Sequence, residues 1–323
     1  MKKVVSILLG VISAILIIGL GIYVYFYFFT FSKIQIVDIP EDPISLHIDE
    51  ELQAKVEEKE VETKKEIINI ALFGVDQMGN EPARSDAILF ITIDTVHNKC
   101  KVTSLMRDSY VDIEGYGWDK LNHAFAYGKG ELALKTINKN FGLNIKDYVK
   151  VNFETLPQII DLLGGVEIDV QQEEISYINR GVMYSDRSLE KSIVSSGVQV
   201  LDGAQALSYC RIRSIGNGDF ERTERQRNVL SQLFLKMLNI NPLSIPKIAN
   251  EIFPLLETNL SIHEMLGLGK NVLTSNIRTL EEERFPQDGY YKGIRKNGIY
   301  YLDYDREATK EQIYQYIFED KKL

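Results

Sequence analysis

The sequence predicts an α/β domain, an αβα sandwich with a mostly buried central sheet, that follows one N-terminal transmembrane helix. Residues 4–32 contain no charged side chain, and about 20 apolar residues are enough for a helix to cross a bilayer. Beyond residue 66, continuous apolar runs alternate with segments of helical periodicity. Such runs are typical of strands covered on both sides, so the alternation predicts a sheet between two layers of helices.

The uncharged segment favours a retained membrane anchor over a cleaved signal peptide. The apolar region of a signal peptide is about 7–15 residues long and ends at small residues. This run is longer and ends in the aromatic sequence IYVYFYFF at residues 22–29. Lys2 and Lys3 precede it, so the positive-inside rule places the N-terminus in the cytoplasm and the remaining chain outside the cell membrane. The inverse orientation has weaker support, from Lys33, Lys55 and Lys59.

Composition and periodicity divide the chain into four segments. We expect a cytoplasmic stub and transmembrane anchor at 1–32, an extracytoplasmic stalk at 33–66, a catalytic core at 67–240, and C-terminal helices with a hairpin, packed on the same domain, at 241–323. The stalk is acidic and interrupted by Pro40 and Pro43, as linkers or short exposed helices are. The formal net charge of -9 and the predicted compartment argue against nucleic acid as a partner.

The individual elements of the domain follow from local patterns. Strands are predicted at 67–76, 87–94, 101–106, 148–152 and 166–170. Helices are predicted at 122–142, 154–163, 223–238, 244–256 and 263–274, with one more at the C-terminus. The first of these helices ends at Gly142, a usual C-cap residue. The segment from Asp202 is predicted to begin as a helix and to continue into a strand that carries Arg211. Residues 290–305 predict a hairpin that turns at Lys296, Asn297 and Gly298.

The two cysteines, Cys100 and Cys210, both lie in predicted strands. Two cysteines without a C-x-x-C motif do not make a tetrahedral zinc site. A disulfide between them and two buried free thiols are both compatible with the sequence.

An arginine cluster is the strongest local signal. Residues 209–227 contain five arginines and no lysine, although lysine is the more frequent residue in the chain as a whole. The guanidinium group binds phosphate and carboxylate oxygens in a bidentate manner, which lysine does not. Arg211 and Arg213 are two residues apart on a segment predicted to be extended, so they point to one side. Arg222 and Gln226 share a helix face.

Arg222 is also expected near the helix N-terminus, where anions are favoured. Glu224 and Arg227 are expected to face water, and Arg225 is compatible with the same side. The alternative to an anion site is a salt-bridged surface formed with the acidic residues Asp219, Glu221 and Glu224.

Charged residues also lie at the ends of the first three strands. Asp76 ends the first strand and Asp86 precedes the second, at an edge of the sheet where α/β proteins bind ligands. Two carboxylates that converge there suit Mg²⁺, which takes one or two protein carboxylates and completes its shell with water and phosphate. Arg84 lies two residues before Asp86, on the same side of an extended chain. The pair Arg107–Asp108 ends the third strand. In the alternative interpretation, Asp76 is a turn former, Asp86 caps the start of a strand, and Arg107–Asp108 is a surface ion pair.

Six motifs in order, GVD, RSD, SLMRD, LNHAFAYG, LDGAQALSYCRIR and DFERTERQR, resemble those of the LytR-CpsA-Psr (LCP) family of cell-wall glycopolymer ligases. The resemblance spans residues 69–238. It implies an LCP-like fold and a membrane-anchored extracytoplasmic enzyme. Such an enzyme moves a glycopolymer, of teichoic acid or capsule type, from undecaprenyl diphosphate to a peptidoglycan sugar hydroxyl. The product is a phosphodiester, and Mg²⁺ supports the reaction.

The resemblance also assigns residues. Asp76 and Asp86 match the magnesium-coordinating aspartates, and the diphosphate-binding residues match Arg84, Arg107, Arg211, Arg213, Arg222 and Gln226. Glu221 stands where family members often have glycine, which bears on the pose of Arg222. Asp108 and Asp219 are the candidates for a general base. His123 is expected to order the start of a helix.

Two other functions are compatible with the same residues. A phosphohydrolase would cleave the lipid diphosphate with water and would need no glycan acceptor. A regulatory module would bind an anionic glycan without turnover, although the presence of both aspartates and all the arginines argues against a decayed site.

Overall fold

The computed structural model describes residues 31–76, 83–185, 192–241, 244–275, 277 and 279–322. The predicted transmembrane anchor lies almost entirely outside these residues. No helix in the described part of the chain is both long enough and apolar enough to cross a membrane.

The strands in the described residues are β1 (Gln35–Ile36), β2 (Ile67–Asp76), β3 (Arg84–Asp94), β4 (Lys99–Leu105), β5 (Tyr110–Ile113), β6 (Gly117–Lys120), β7 (Asp147–Asn152), β8 (Val166–Val170), β9 (Gly197–Leu201), β10 (Glu257–Thr258), β11 (Thr279–Phe285), β12 (Tyr291–Lys296) and β13 (Ile299–Tyr304). The central sheet has the order β1-β10-β7-β2-β3-β4-β11. It is mixed, because β3 is antiparallel to both β2 and β4, whereas β2 is parallel to β7 and β4 is parallel to β11.

The α-helices of the described residues are α1 (Glu50–Thr63), α2 (Leu121–Phe141), α3 (Thr155–Leu162), α4 (Ile175–Ser185), α5 (Gly203–Cys210), α6 (Asp219–Leu238), α7 (Ile245–Ile252), α8 (Ile262–Thr274) and α9 (Arg306–Ile317). Helix α2 ends at Gly142 with φ 64°, as predicted. The predicted hairpin is β12–β13, and its turn residues Asn297 and Gly298 both have positive φ, as a two-residue turn of this kind requires.

One face of the central sheet is a closed core. Ala71, Phe73 and Val75 of β2 and Ile88 and Phe90 of β3 pack there against buried residues of α1, α2 and α9. Alternate residues of the same strands point to the other face, because successive side chains of a strand lie on opposite sides. The helices α3, α6, α7 and α8 cover that second face. The predicted α/β architecture is confirmed, with a mixed central sheet.

The segment predicted as a stalk, residues 33–66, is instead packed on the domain. β1 extends the central sheet through its parallel pairing with β10. Leu52 and Val56 of α1 are buried in the closed core, and Lys59 donates a hydrogen bond to the backbone oxygen of Phe318. Although the sequence of α1 is strongly acidic, Leu52 and Val56 lie four residues apart and form an apolar helix face that packs on the core.

The strand predicted to carry Arg211 is absent from the described structure. Helix α5 continues to Cys210, and Arg211 is its C-cap with helical backbone angles. The next helix, α6, begins at Asp219 rather than at Thr223. Cys100 and Cys210 are both buried and free. The strand β8 belongs to a separate two-stranded sheet with β9.

Candidate active site

The open face of the sheet lines a cavity of about 2000 Å³. Its floor is formed by side chains of β2, β3 and β7, among them Leu72, Leu89 and Val149. The inner faces of α3, α6, α7 and α8 form its wall with Ile159, Leu230, Leu233, Ile248, Ile252 and Met265. Apolar helix faces in this region therefore enclose a large space, whereas by default such faces pack into a core.

One end of the cavity is polar. Strand ends and helix starts converge there, because β2, β3 and β4 end or begin at this edge and the N-terminal turns of α2 and α6 meet it. The charged and amide side chains that line this end are Asp76, Arg84, Asp86, Arg107, Asp108, Lys120, Asn122, Asn152, Arg211, Arg213, Arg222 and Gln226.

A β-bulge directs Asp86 into the cavity. Gly74 of β2 pairs with Ala87, but its neighbour Val75 pairs with Ser85, so Asp86 is the extra residue of β3. Bulges of this kind re-aim a side chain and are frequent beside active sites. Gly74 permits the close approach of the strands, because a Cβ atom at that position would lie 2.9 Å from the Cβ of Ala87.

Three arginines and two aspartates form one ion-pair network. Arg107 donates to Asp86 through Nη1 (2.6 Å) and to Asp219 through Nε (2.9 Å). Arg213 lies between the same two carboxylates, with Nη2 at 3.3 Å from Asp86 and Nε at 3.5 Å from Asp219. Arg222 donates to the backbone oxygen of Asp86 (2.6 Å) and lies 3.6 Å from Asp219. The network holds three positive charges around two negative ones.

The network sets the protonation states of its members. Burial by itself raises the pKa of Asp219, but the charges of Arg222, Arg107 and Arg213 outweigh burial, so this pKa lies below its ordinary value. Burial is the largest cause that lowers the pKa of Arg222 to about 10, and the charge of Arg107 acts in the same direction. At neutral pH the aspartate is therefore ionised and the arginine remains protonated.

Two buried polar atoms beside the network have no hydrogen-bond partner in the described structure. They are Nε of Arg222 and Oε1 of Gln226, and both side chains line the cavity. Buried polar atoms are almost always hydrogen-bonded, so these two are suited to a polar ligand. A phosphate oxygen in the cavity would accept from Nε of Arg222, whereas Oε1 of Gln226 is itself an acceptor and suits a hydroxyl group or a water.

The donor set at this end fits Mg²⁺. Asp76 ends β2 and lines the cavity beside Asp86. Within the described residues its carboxylate makes no hydrogen bond or ion pair. The oxygens of Asp86 each contact one arginine and keep further lone pairs. Two carboxylates next to a cluster of arginines offer the oxygen ligands that magnesium prefers.

The structure brings all of the predicted diphosphate-binding residues to the cavity, in unequal positions. Arg84 is exposed and lines the rim. Arg211 stacks on Phe153, with its guanidinium carbon 4.7 Å from the ring centroid. The predicted shared face of Arg222 and Gln226 is confirmed, since both side chains line the cavity.

The water-facing positions predicted for Arg227 and suggested for Arg225 are wrong. Arg225 is buried and donates to Glu174 at 2.7 Å. Arg227 is half-buried, with 11% of its side chain exposed, and lies 3.6 Å from Glu282. Their acidic partners lie 51 and 55 residues away in sequence and are brought in by the fold. Helical periodicity alone does not show such partners.

Sequence reasoning missed Lys120 and Asn122. Lys120 donates to Asp108 at 2.6 Å, and both side chains line the cavity. The oxygen of the Asn122 side chain is buried without a partner in the described residues. The signal was present, because both residues flank the start of a helix that carries a motif of the resemblance.

Asp108 and Asp219, the two candidates for a general base, are both engaged by cations. Asp108 accepts from Lys120, and Asp219 accepts from Arg107 and faces two further arginines. The lowered pKa of Asp219 weakens it as a proton acceptor, and Oδ1 of Asp108 is occupied by the ammonium group of Lys120. The geometry therefore disfavours both assignments.

Comparison with known proteins agrees with the motifs. A model of the LytR_cpsA_psr family matches residues 40–317. The chain belongs to the LytR-CpsA-Psr family. An LCP relative from Bacillus cereus, named polyisoprenyl-teichoic acid–peptidoglycan teichoic acid transferase TagU, is 32% identical over 254 residues, which are 78% of each chain. A protein of the same name from Oceanobacillus iheyensis is 31% identical over 289 residues, 85% of this chain and 82% of that one.

Solved LCP structures share the fold. One is the Bacillus subtilis protein TagT, in a structure described as containing bound octaprenyl pyrophosphate lipid. It is 25% identical, has a TM-score of 0.60, and covers 79% of this chain and 91% of its own. The LCP family model begins at residue 40, so it includes most of the segment that the structure packs onto the domain.

Proposed function

We propose that this LCP protein transfers a glycopolymer from a polyprenyl diphosphate carrier to a hydroxyl of peptidoglycan and forms a phosphodiester. Undecaprenyl diphosphate is the expected carrier, and the polymer is of teichoic acid or capsule type. The relatives named as teichoic acid transferases support this assignment. So does the neighbour described with a bound prenyl pyrophosphate.

One observation carries the proposal. A single cavity is apolar along the sheet and the helices and ends in a cluster of arginines and aspartates. A prenyl diphosphate has the same division, with a long apolar chain and a compact anionic head. The apolar part favours the chain by removing it from water, and the arginine fork favours the phosphate oxygens.

The residues of the polar end have distinct tasks in the transfer. Arg107, Arg213 and Arg222 hold the diphosphate and stabilise the charge that develops on its oxygens, which is the main task in phosphoryl transfer. Asp86 and Asp219 hold these guanidinium groups in position before the substrate arrives. Asp76 and Asp86 would hold magnesium, which when bound adds positive charge at the phosphate oxygens.

We also propose that the domain lies outside the cell membrane, anchored by the uncharged N-terminal segment. Lys33, which follows that segment, donates to Asn250 of α7 at 2.8 Å, and α7 lines the apolar part of the cavity. Exposed apolar side chains of the surrounding helices include Met237, Ile245 and Leu266. Lys33 therefore lies beside the region through which a lipid chain would enter the cavity.

The test uses the full chain in detergent micelles with a prenyl diphosphate-linked sugar and peptidoglycan oligomers. Mass spectrometry follows the adduct in magnesium and in EDTA. We expect transfer that needs magnesium, is lost in Asp76→Asn, and persists in Asp112→Asn, a control in which a surface partner of Lys139 is changed. Sugar phosphate released without an adduct would identify a phosphohydrolase. Bound lipid without any product would identify a binding module.

A further inference from the structure

A second polar group faces the cavity at the start of α2. His123 and Tyr127 lie one turn apart on this helix, and both contact Oδ2 of Asp119, the last residue but one of β6. The distances are 2.7 Å from Nδ1 of His123 and 2.7 Å from the Tyr127 hydroxyl. Asp119 does not cap the helix, whose N-cap Lys120 makes no side-chain cap. The contact with Asp119 is compatible with the expectation that His123 orders the helix start, and together with Tyr127 it also forms a carboxylate–imidazole–phenol group.

The hydrogen bonds decide which imidazole nitrogen is available. Burial raises the pKa of Asp119, but the hydrogen bonds from His123 and Tyr127 outweigh burial and lower it. The hydrogen bond to Asp119 is the largest cause that raises the pKa of Tyr127 to about 12. An ionised carboxylate only accepts, so Nδ1 of His123 carries a proton. In the neutral ring the lone pair then lies on Nε2, which has no partner within the described residues.

This group is attached to the ion-pair network by backbone hydrogen bonds. The amide of Asn122 donates to the carbonyl oxygen of Arg107 (3.1 Å), and the amide of Leu121 donates to that of Ser109 (2.9 Å). The first turn of α2 is therefore held against the segment that carries Arg107 and Asp108. His123 and Tyr127 line the same cavity as Asp86 and Arg107.

The remaining proton acceptors at this end are occupied. Asp86 and Asp219 are paired with arginines, and Asp108 is paired with Lys120. Asp76, whose carboxylate has no partner among the described residues, is the one we assign to magnesium. Imidazole is the side-chain type that most readily exchanges a proton near neutral pH.

A stacked tyrosine pair beside His123 suits a sugar ring. Tyr116 and Tyr127 stack with ring centroids 4.2 Å apart and an interplanar angle of 8°, and both are exposed. Flat aromatic surface of this kind, next to hydrogen-bonding groups, combines apolar contact with polar recognition. The acceptor of the proposed reaction is a sugar, which offers apolar contact through its ring and hydrogen bonds through its hydroxyl groups.

We propose that Asp119, His123 and Tyr127 form the acceptor site, and that Nε2 of His123 takes the proton of the acceptor hydroxyl. This inference rests on the proposed transfer function. The acceptor oxygen forms a bond to the phosphorus that carries the glycan. The bond from that phosphorus to the bridging oxygen breaks, and polyprenyl phosphate leaves with the electron pair. The proton of the hydroxyl passes to His123 and then to solvent, while Asp119 stabilises the imidazolium.

The test compares two histidines that have similar surroundings but different positions. His97 contacts Asp94 at 2.7 Å through Nδ1, as His123 contacts Asp119, but it does not line the cavity. In the full chain with the prenyl diphosphate donor and peptidoglycan oligomers, we expect His123→Ala to lower kcat of transfer about 10²–10⁴-fold. We expect donor affinity to stay within about twofold, and His97→Ala to transfer at the rate of the unsubstituted chain.

Chemical rescue separates proton transfer from a structural role. Added imidazole should restore part of the rate of His123→Ala and none of the rate of Arg222→Lys. His123→Gln, which keeps polar bulk, should be as inactive as His123→Ala and should not be rescued. Transfer by His123→Gln near the normal rate, or absence of rescue in a folded, donor-binding His123→Ala, would overturn the proposal. No transfer by the unsubstituted chain would instead overturn the proposed function.

Discussion

The two faces of the central sheet use the same strands for different purposes. On one face Phe73, Ile88 and Phe90 are packed against α2 in a closed core. On the other, Leu72, Leu89 and Ile91 line a cavity of about 2000 Å³. Both sets are apolar, so the sequence alone presents them as equal candidates for a core.

The difference lies in what covers each face. The closed face is covered by α1, α2 and α9, whose buried side chains pack directly against it, as interiors normally do. The helices that cover the open face are separated from it by the cavity. Charged residues converge at one end of this cavity. An apolar strand face therefore predicts burial, but it does not distinguish packing against protein from binding of an apolar ligand.

The strongest test of this comparison uses two buried arginines of α6. Arg222 faces the cavity, whereas Arg225, three residues later, is paired with Glu174. We expect Arg222→Lys to lower kcat of glycan transfer about 10²–10³-fold, because lysine lacks the fork that holds phosphate oxygens. Arg225→Lys should lower the Tm and leave the transfer rate of the folded protein unchanged. Equal loss of transfer in both variants would remove the distinction between the two arginines.

The packing difference predicts unequal losses of stability for the same substitution. Ile88→Ala in the closed core should lower the free energy of unfolding by about 2–5 kcal/mol. Ile91→Ala should lower it by about 1 kcal/mol, because its side chain has few protein atoms on the cavity side. Urea unfolding of both variants measures the difference. Losses of equal size would mean that the open face is packed like the closed one in solution.

Filling the cavity should affect lipid binding more than folding. Ala249 of α7 lines the apolar part, and Ala249→Trp places an indole where the prenyl chain is proposed to lie. We expect the affinity for prenyl diphosphate to fall at least about tenfold, or ~1.4 kcal/mol, with little change in Tm. The exposed Val198 of β9 provides the control, Val198→Trp, which should bind the lipid normally. Unchanged affinity in Ala249→Trp would place the lipid elsewhere.

The smallest predicted effect concerns a carboxyl group near the apolar end of the open face. Burial, together with the charge of Glu264, raises the pKa of Asp147 to about 6. The folded chain therefore keeps a proton that the unfolded chain releases near pH 4, so this group lowers stability as pH rises from about 4 to 6. Asp147→Asn removes that penalty.

The measurement is urea unfolding of Asp147→Asn and of the unsubstituted chain at pH 4 and pH 7.5. We expect the variant to be more stable by about 1–3 kcal/mol at pH 7.5, and the two proteins to differ little in stability at pH 4. A difference that does not depend on pH would show that Asp147 titrates normally in the folded chain.

Local signals were sufficient for most of the elements and for the residues of the site. β2, β3 and α6 were predicted from apolar runs and helical periodicity, and the strand-end aspartates with Arg107, Arg213 and Arg222 do line one cavity. Three predictions failed for one reason. The stalk predicted at α1 and the surface positions predicted for Arg225 and Arg227 are wrong because the residues that cover these side chains lie far away in sequence.

The sequence by itself determined the family, the α/β class, and the set of charged residues that serves the site. It did so because these properties depend on residue type and on short spacings, which strand and helix geometry convert directly into shared faces. Only the tertiary structure decided that the apolar helix faces enclose a cavity and that Asp86 is aimed into it by a bulge. It also decided that His123 is held by Asp119. These depend on distances between elements, which no local pattern encodes.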